Sequence, residues 1–563
     1  MHFSASLRSP VRRCLPALLC TLACFASPGA AVPARAADRQ VLAVVACDSY
    51  GDLRKQLGWL GAQIDNPGLA GMVESFLLLA TQGRGLAGLD VKRPLGAVVT
   101  SDGADVAVHG FVPVKDLDKL LASLQGVTGP AEEDGATRRI TLPSGLTIEI
   151  TEQAGWAVIA PAGGAAKAAD PTPLLEAVAK DYTLGVQAFP SRLSDAVRKK
   201  LEAAIEQAAA NAAAQGQRVD ADALKSGLEG LRQTESLSLG MAIDGDAGDV
   251  FVENRSVAVP GSLSATAFEA MGKGTLTVAT PAAAGAAPAV RAYVAQSISE
   301  ASRKQVLEAI DQSLPADGGD SLTRSLAGLF RALLTAMAET GGIDAAVAVD
   351  TSAATEKSPL PAVTAGLRVK DGPALERQLK TLLGEKAALP PGVRVTFDTG
   401  KAGAANLHTI SVDMAESPAA ETLGPSLDLT LAVAADYAFV LTGADAAKRA
   451  DAAIGASGRP DSKAKPIANV QVALQPVLEY AASRGAGPRA NAAAERAAAA
   501  ESSLLQLFVR PIDRGVVTRL SADAGVLKAV AALAGAPAAP AGPAGLPLPQ
   551  VPRGLPIPVP VPR

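Results

Sequence analysis

Apolar positions recur at two spacings in alternation along this chain. At helical spacing, Leu53, Leu57 and Leu60 mark an amphipathic helix over 50–61, with Trp59 beside them. Leu193, Val197, Leu201, Ala204 and Ile205 mark another, opened by Pro190-Ser191-Arg192-Leu193. Pro488 begins an Ala-rich run to Val509 that reads as one helix, stopped by Pro511. Alternation with period two predicts strands, and these come in adjacent pairs. Residues 96–114 alternate on either side of Ser101-Asp102-Gly103, 237–257 around Gly245 to Gly248, and 138–152 around Pro143-Ser144-Gly145. Turns this short join antiparallel strands.

The pattern repeats. GFVPVKDLDKLLASL at 110–124 matches GLRVKDGPALERQLKTLL at 366–383 when Val114-Lys115-Asp116 is set on Val369-Lys370-Asp371, an offset of 255. GWAVIAP at 155–161 matches YAFVLTG at 437–443, an offset of 282. Val186-Gln187-Ala188 matches Val470-Gln471-Val472, an offset of 284. The same order with slowly rising offsets is what a duplication with insertions in its second copy produces. A further echo, VRKKLEAAIEQ at 197–207 against SRKQVLEAIDQ at 302–312, lies within this scheme. The expected fold is therefore α+β, in two related lobes. Each holds an antiparallel sheet built from hairpins, with helices packed on it. The expected boundaries are 1–36, 37–280, 281–530 and 531–563. PAGGAAKAADPTP at 161–173 reads as a loop, and PAAAGAAP at 281–288 as the lobe boundary.

The two termini differ in kind from the rest. Residues 1–36 read as a secretory signal peptide: Arg8, Arg12 and Arg13 precede the short apolar run Cys14–Ala26, and Ala34-Arg35-Ala36 supplies a small-x-small cleavage site. A lipoprotein alternative uses Thr21-Leu22-Ala23-Cys24. Cleavage would leave Cys47 as the sole cysteine and move the net charge from −4 to −8. No later run offers 18 uncharged apolar residues, so no transmembrane segment is expected in the mature chain. From Pro537 onward, alternate prolines end in PLPQVPRGLPIPVPVPR, which reads as a disordered or semi-rigid tail.

One stretch carries a resemblance. Tyr50-x-Asp52-Leu53-x-x-Gln56-Leu57-x-Trp59-Leu60-Gly61 is followed by Thr81-Gln82-Gly83-x-Gly85-Leu86-Ala87-Gly88-Leu89-Asp90-x-x-Arg93-Pro94-x-Gly96. Over residues 41–110 this resembles a set of large uncharacterised exported bacterial proteins, of a type abundant in planctomycetes, that join a signal peptide to domains of unknown function. The resemblance implies an envelope or secreted location, in the periplasm or outside, and carries over no site residues.

Charge and composition narrow the chemistry. An acidic balance argues against nucleic acid, and 3% aromatic residues argue against a base- or sugar-stacking platform. Gly83-x-Gly85-x-x-Gly88 matches a dinucleotide fingerprint by letter, yet a helix-like run precedes it and a strand follows, the reverse of the order a pyrophosphate needs. Asp244, Asp246 and Asp249 could offer oxygen ligands to calcium, but the distal Glu of such a loop is missing and a hairpin turn explains the same letters. Glu132-Glu133-Asp134 reads as a solvated loop. His109 and His408 sit in strand-like runs facing water or a polar neighbour, without metal-ligand spacing. No G-x-S-x-G elbow is present. No catalytic, cofactor-binding or metal residue is therefore assigned, and no cofactor is expected. The expectation is a non-catalytic binding or scaffold module of the cell envelope with a protein or lipid partner. A carrier for a lipid or other hydrophobic ligand, held in a groove between sheet and helices, is one alternative. A carboxylate-dependent hydrolase is another.

Overall fold

The computed structural model describes residues 39–535, except 142–144, 146, 163–167, 215–229, 282–286, 314–320, 355–358, 385–388, 390–391, 416–419, 421–423 and 462–466. The expected leader at 1–36 and the Pro-rich stretch from Pro537 lie outside the described residues.

The first half of the chain carries strands β1 (Gln40–Cys47), β2 (Leu95–Ser101), β3 (Val106–Pro113), β4 (Glu132–Asp134), β5 (Thr137–Thr141), β6 (Thr147–Gln153), β7 (Trp156–Pro161), β8 (Leu184–Ala188), β9 (Thr234–Asp244) and β10 (Asp249–Ala258). The second carries β11 (Val290–Ser297), β12 (Gly342–Asp350), β13 (Ala362–Arg368), β14 (Val393–Ala402), β15 (Ala405–Asp413), β16 (Ser426–Val433), β17 (Tyr437–Thr442), β18 (Ala468–Ala473), β19 (Leu504–Ile512) and β20 (Gly515–Asp523). The helices of the first half are α1 (Tyr50–Gln63), α2 (Leu69–Ala80), α3 (Leu117–Thr128), α4 (Thr172–Ala179), α5 (Asp195–Ala214) and α6 (Leu263–Met271). Those of the second are α7 (Glu300–Ser313), α8 (Ser321–Ala338), α9 (Gly372–Gly384), α10 (Ala446–Ala456), α11 (Leu474–Ser483), α12 (Pro488–Ala498) and α13 (Ala524–Ala534).

All pairings are antiparallel, and they join the strands into one continuous sheet. From the middle outward, the first half runs β10-β9-β8-β1-β2-β3-β7-β6-β5-β4. The second half runs β20-β19-β18-β11-β12-β13-β17-β16-β15-β14. These are the same order ten strands later. The halves meet where β10 pairs with β20, with Glu253 opposite Arg519.

The equivalence holds residue by residue. Val186 pairs with Val45, Val45 with Ala97, and Ala97 with Gly110. In the other half Val470 pairs with Ala292, Ala292 with Val347, and Val347 with Ala365. Setting Val186 on Val470 thus sets Gly110 on Ala365, so two separate sequence matches agree through three intervening strands. The third match needs a correction. Gly110 pairs with Ile159 and Ala365 with Val440, so β7 and β17 correspond one residue away from the letter match. Because side chains alternate between faces, that slip would have put core residues on the wrong side. The echo between 197–207 and 302–312 is also not structural. It joins α5, which follows β8, to α7, which follows β11, and these places do not correspond.

Two further readings change. The run from Pro488 is a helix only to Ala498; Leu504 to Ile512 is strand β19, with Pro511 inside it. Glu501-Ser502-Ser503 breaks the alanine run, and LLQLFV then alternates. Glu132-Glu133-Asp134 pairs with β5 as a short, exposed edge strand, and a short, charged edge resists pairing with other chains. At the far end α13 continues through Ala534, past the boundary expected at 530; the Asp523 side chain caps it by accepting from the Val526 amide.

The sheet has two faces, and both are covered at its outer ends. On one, α3 buries Val114, Leu117 and Leu120 against Ile140, Ile150 and Ala157, while α8 and α9 bury Leu333, Leu375 and Leu379 against Ile410, Leu431 and Val433. On the other, α4 packs Leu175 and Val178 on Val44, Ala46 and Trp156, while α10 and the segment carrying Leu276 and Val278 pack on Tyr293 and Phe439. Gly185 and Gly240 are cross-strand neighbours beneath the Tyr182 ring. A Cβ at Gly240 would lie 2.2 Å from that ring, so this seat requires glycine.

Candidate functional site

The helices leave the middle of the first face open. There the strands present three parallel rows of side chains. The central row runs Leu184, Met241, Val252, Leu520, Leu507, Val470, each directly opposite the next across six strands. All six are between 36% and 45% exposed. On one side lies the row Val186, Leu239, Asn254, Thr518, Val509, Ala468, and on the other Ile243, Val250, Ala522, Leu505, Val472. Asn254 and Thr518 are the polar positions in this field, and no charged side chain belongs to it. At a strand spacing of about 4.8 Å the central row spans roughly 24 Å. Isolated surface aliphatics need no explanation, but a contiguous field of this kind marks an interaction site.

A second apolar surface lies on α2. That helix has no buried residue, and it exposes Met72, Phe76 and Leu79 along one side. Between α1 and α2 opens a cleft lined by Tyr50, Gly51, Gly58, Ala70 and Val91, with Arg54 and Lys55 at its side. This cleft lies between two helices, not between sheet and helices where a groove was expected.

Polar clusters form the other candidates. His408 on β15 is 1% exposed and lies beneath α9, which supplies Glu376 and Lys380 one turn apart. The Asp398 amide donates to His408 Nδ1 at 3.0 Å, so Nδ1 is the acceptor and Nε2 carries the proton. Nε2 faces Glu376 Oε1 at 3.4 Å. Lys380 Nζ lies 2.8 Å from Glu376 and 2.9 Å from Asp398. Asn406 also donates to Glu376, at 3.0 Å. His408, Glu376 and Asp398 are close enough to share a cation, but the ammonium of Lys380 bridges the two carboxylates. Nε2 could bind a metal only if its proton moved to Nδ1, where an amide N–H already points. The geometry is that of an ion-pair network around a neutral histidine.

The titrations follow. Burial, with Lys380 adding to it, holds His408 below its ordinary 6.5, against the pull of Glu376 and Asp398. Burial would raise Glu376, but Lys380 and Asn406 outweigh it and leave its carboxyl below the usual range. Because the native state disfavours protonated His408, its contribution to stability is complete above about pH 6.5 and declines as pH falls through its lowered native value. The urea midpoint is expected to fall between pH 7 and pH 5.5, and His408→Gln, which keeps an acceptor for the amide but does not titrate, should flatten that slope. An unchanged slope in the variant would remove His408 as its cause.

The remaining sequence candidates fall into structural roles. Gly83, Gly85 and Gly88 all have positive φ in the passage from α2 toward β2, and the Gly83 amide donates to Leu78 O at the helix end. Asp244 Oδ1 accepts from the amides of Asp246 and Ala247 at 3.1 and 2.8 Å, closing the β9–β10 turn. His109 lies on β3 in the other half from His408 and joins no part of its network. Cys47 ends β1, half-buried and free, its thiol pushed up by burial and by Asp48. No described helix is long and apolar enough to cross a membrane.

Comparisons with protein-family models, with curated proteins and with solved structures find no match.

The apolar field was the part that sequence reasoning missed, although its signal was present. Leu237, Leu239, Met241 and Ile243 alternate along β9, and Leu505, Leu507 and Val509 along β19. The alternation marks one apolar face. It does not say whether a helix covers that face.

Proposed function

We propose that this chain is a non-catalytic, exported binding protein for an amphiphile, and that the ligand's acyl chain lies across the open middle of the sheet. The observation that carries this reading is the unbroken row from Leu184 to Val470, exposed on every strand. It consists of flexible aliphatic side chains without charge, which suits a hydrocarbon chain and offers little to a sugar, a base or a peptide backbone. It crosses the junction of the two halves, so it forms a surface that neither half has alone. The secretory pattern of residues 1–36 supports an envelope setting, where amphiphiles are abundant. The open apolar side of α2 supports contact with lipid.

Fluorescence titration of the full chain with a monoacylglycerol carrying a nitrobenzoxadiazole reporter tests the reading. A neutral headgroup keeps electrostatics out of the measurement. Saturable binding that adding salt does not weaken is expected, since apolar burial drives it. A linear, unsaturable signal would overturn the proposal.

A further inference from the structure

The opposite face of the same six strands has a different chemistry. Glu253 lies at its centre with a side chain 2% exposed. Arg519 donates to Glu253 Oε2 through Nε at 2.8 Å and Nη2 at 2.6 Å. Arg255 Nη2 lies 3.4 Å from Oε1, and the Tyr182 hydroxyl donates to Oε1 at 2.9 Å. The guanidinium of Arg519 stacks 3.9 Å over Phe251, and it also lies 5.9 Å from the Phe508 ring centre. Arg510 approaches that same Phe508 ring at 5.7 Å. Across the sheet, Val517 stands between Arg255 and Arg510, paired with each.

Two guanidiniums therefore hold one buried carboxylate, and a third, that of Arg510, lies by the Phe508 ring beyond them. Arg255 Nε is buried and has no hydrogen-bond partner. Arg510 has no carboxylate partner among the described residues. Around them Asn469, Gln471, Gln506 and Ser521 present neutral polar groups on the same face. The other acids on that face of these strands, Asp244, Asp249 and Asp523, lie at the strand ends beyond Phe251 and Ser521, where the charge of Arg519 reaches Asp249. Gathering cations without matching acids costs Coulomb energy, and does so here on a chain whose overall charge is negative. The planar forks of arginine, backed by aromatic rings, are the usual means of holding an oxyanion with two parallel hydrogen bonds.

We infer that this face binds an oxyanion, a phosphate or carboxylate group, between Arg510, Arg255 and Arg519. Arg519 is committed to Glu253 and orients the site. Arg510, and Arg255 through the donors it does not give to Glu253, supply the remaining N–H groups, on either side of Val517. The site lies on the opposite side of the sheet from the apolar field, so it stands or falls independently of the amphiphile reading.

Isothermal titration of the full chain at low salt, once with inorganic phosphate and once with acetate, tests the inference. Saturable binding of at least one anion is expected, weakening as sodium chloride is added. The stronger arm identifies the class of anion. Arg510→Met should weaken binding at least about tenfold, the weight of one lost charge-assisted pair. Its melting temperature should not change, because Arg510 is exposed and holds no buried charge. Arg394→Met, on the distant edge strand β14, should bind as the parent does. Absence of saturable heat with both anions would overturn the inference. So would binding that Arg510→Met and Arg255→Met both leave intact.

Discussion

Leu520→Asp is expected to abolish binding of the monoacylglycerol probe and to leave the fold in place. Leu520 lies at the middle of the apolar row, between Val252 and Leu507, and is 45% exposed. In the free protein an aspartate there keeps its carboxylate in water, so stability changes little. Under a bound acyl chain the same carboxylate loses its hydration with no cation in that field, among the described residues, to pair with, which costs several kcal/mol. A loss of about 100-fold or more, roughly 2.8 kcal/mol, is the expected result. Phe76→Glu on α2 separates the two apolar surfaces. It should leave probe binding unchanged if the ligand lies on the sheet, and titration of the two variants side by side makes the distinction. Equal losses in both would move the site to α2.

The second large effect concerns the core. Phe439 on β17 is fully buried, and its ring lies directly above Gly366, where a Cβ would come within 2.3 Å of it. Leu276 and Val278, on the segment that links the two halves, share its cluster. Phe439→Ala removes the ring and leaves a cavity over a glycine that cannot fill it. Such losses cost about 3–5 kcal/mol. For a unit of this size that lowers the melting temperature by about 10 °C. The equivalent position in the first half, by ladder register, is Val158, opposite Phe111 as Phe439 is opposite Gly366. There the large side chain sits on the other strand, so the two halves fill the same space differently. A melting temperature unmoved by Phe439→Ala would contradict this view of the core.

Much of the fold could be read from the sequence because its hairpins announce themselves. Ser101-Asp102-Gly103 and Gly245 to Gly248 separate alternating runs, and such turns dictate antiparallel neighbours. The repeated strand order was legible because Val114-Lys115-Asp116 and Val186-Gln187 keep both letters and register in the second half. The slip at Trp156 to Pro161 shows where letters fail. Short apolar strands match equally well in two registers, and only the ladder to β3 decides between them. The joining of the halves through β10 and β20 left no local signal, since an edge strand and a central strand can carry the same alternation.

The candidate sites were less legible for a related reason. Exposure of Leu184, Met241 and Leu507 depends on where α3, α8 and α9 do not reach, which is a tertiary fact. The arginine cluster draws Arg255, Arg510 and Arg519 from strands on both halves of the chain. Likewise, His408 acquires Glu376 from a helix some thirty residues away, in a position where the first half carries leucine. The one-dimensional pattern does contain the rule that places them, namely that odd and even residues of a strand face opposite ways. Applying it requires the strand order.

The most direct test of the central claim is native mass spectrometry of the full chain, purified from cells without detergent and then stripped and reloaded with an unlabelled monoacylglycerol. A chain carrying one or more acyl-chain adducts is expected, removed by stripping and restored by reloading in the parent but not in Leu520→Asp. A chain that carries no adduct and takes up none on reloading would contradict that claim.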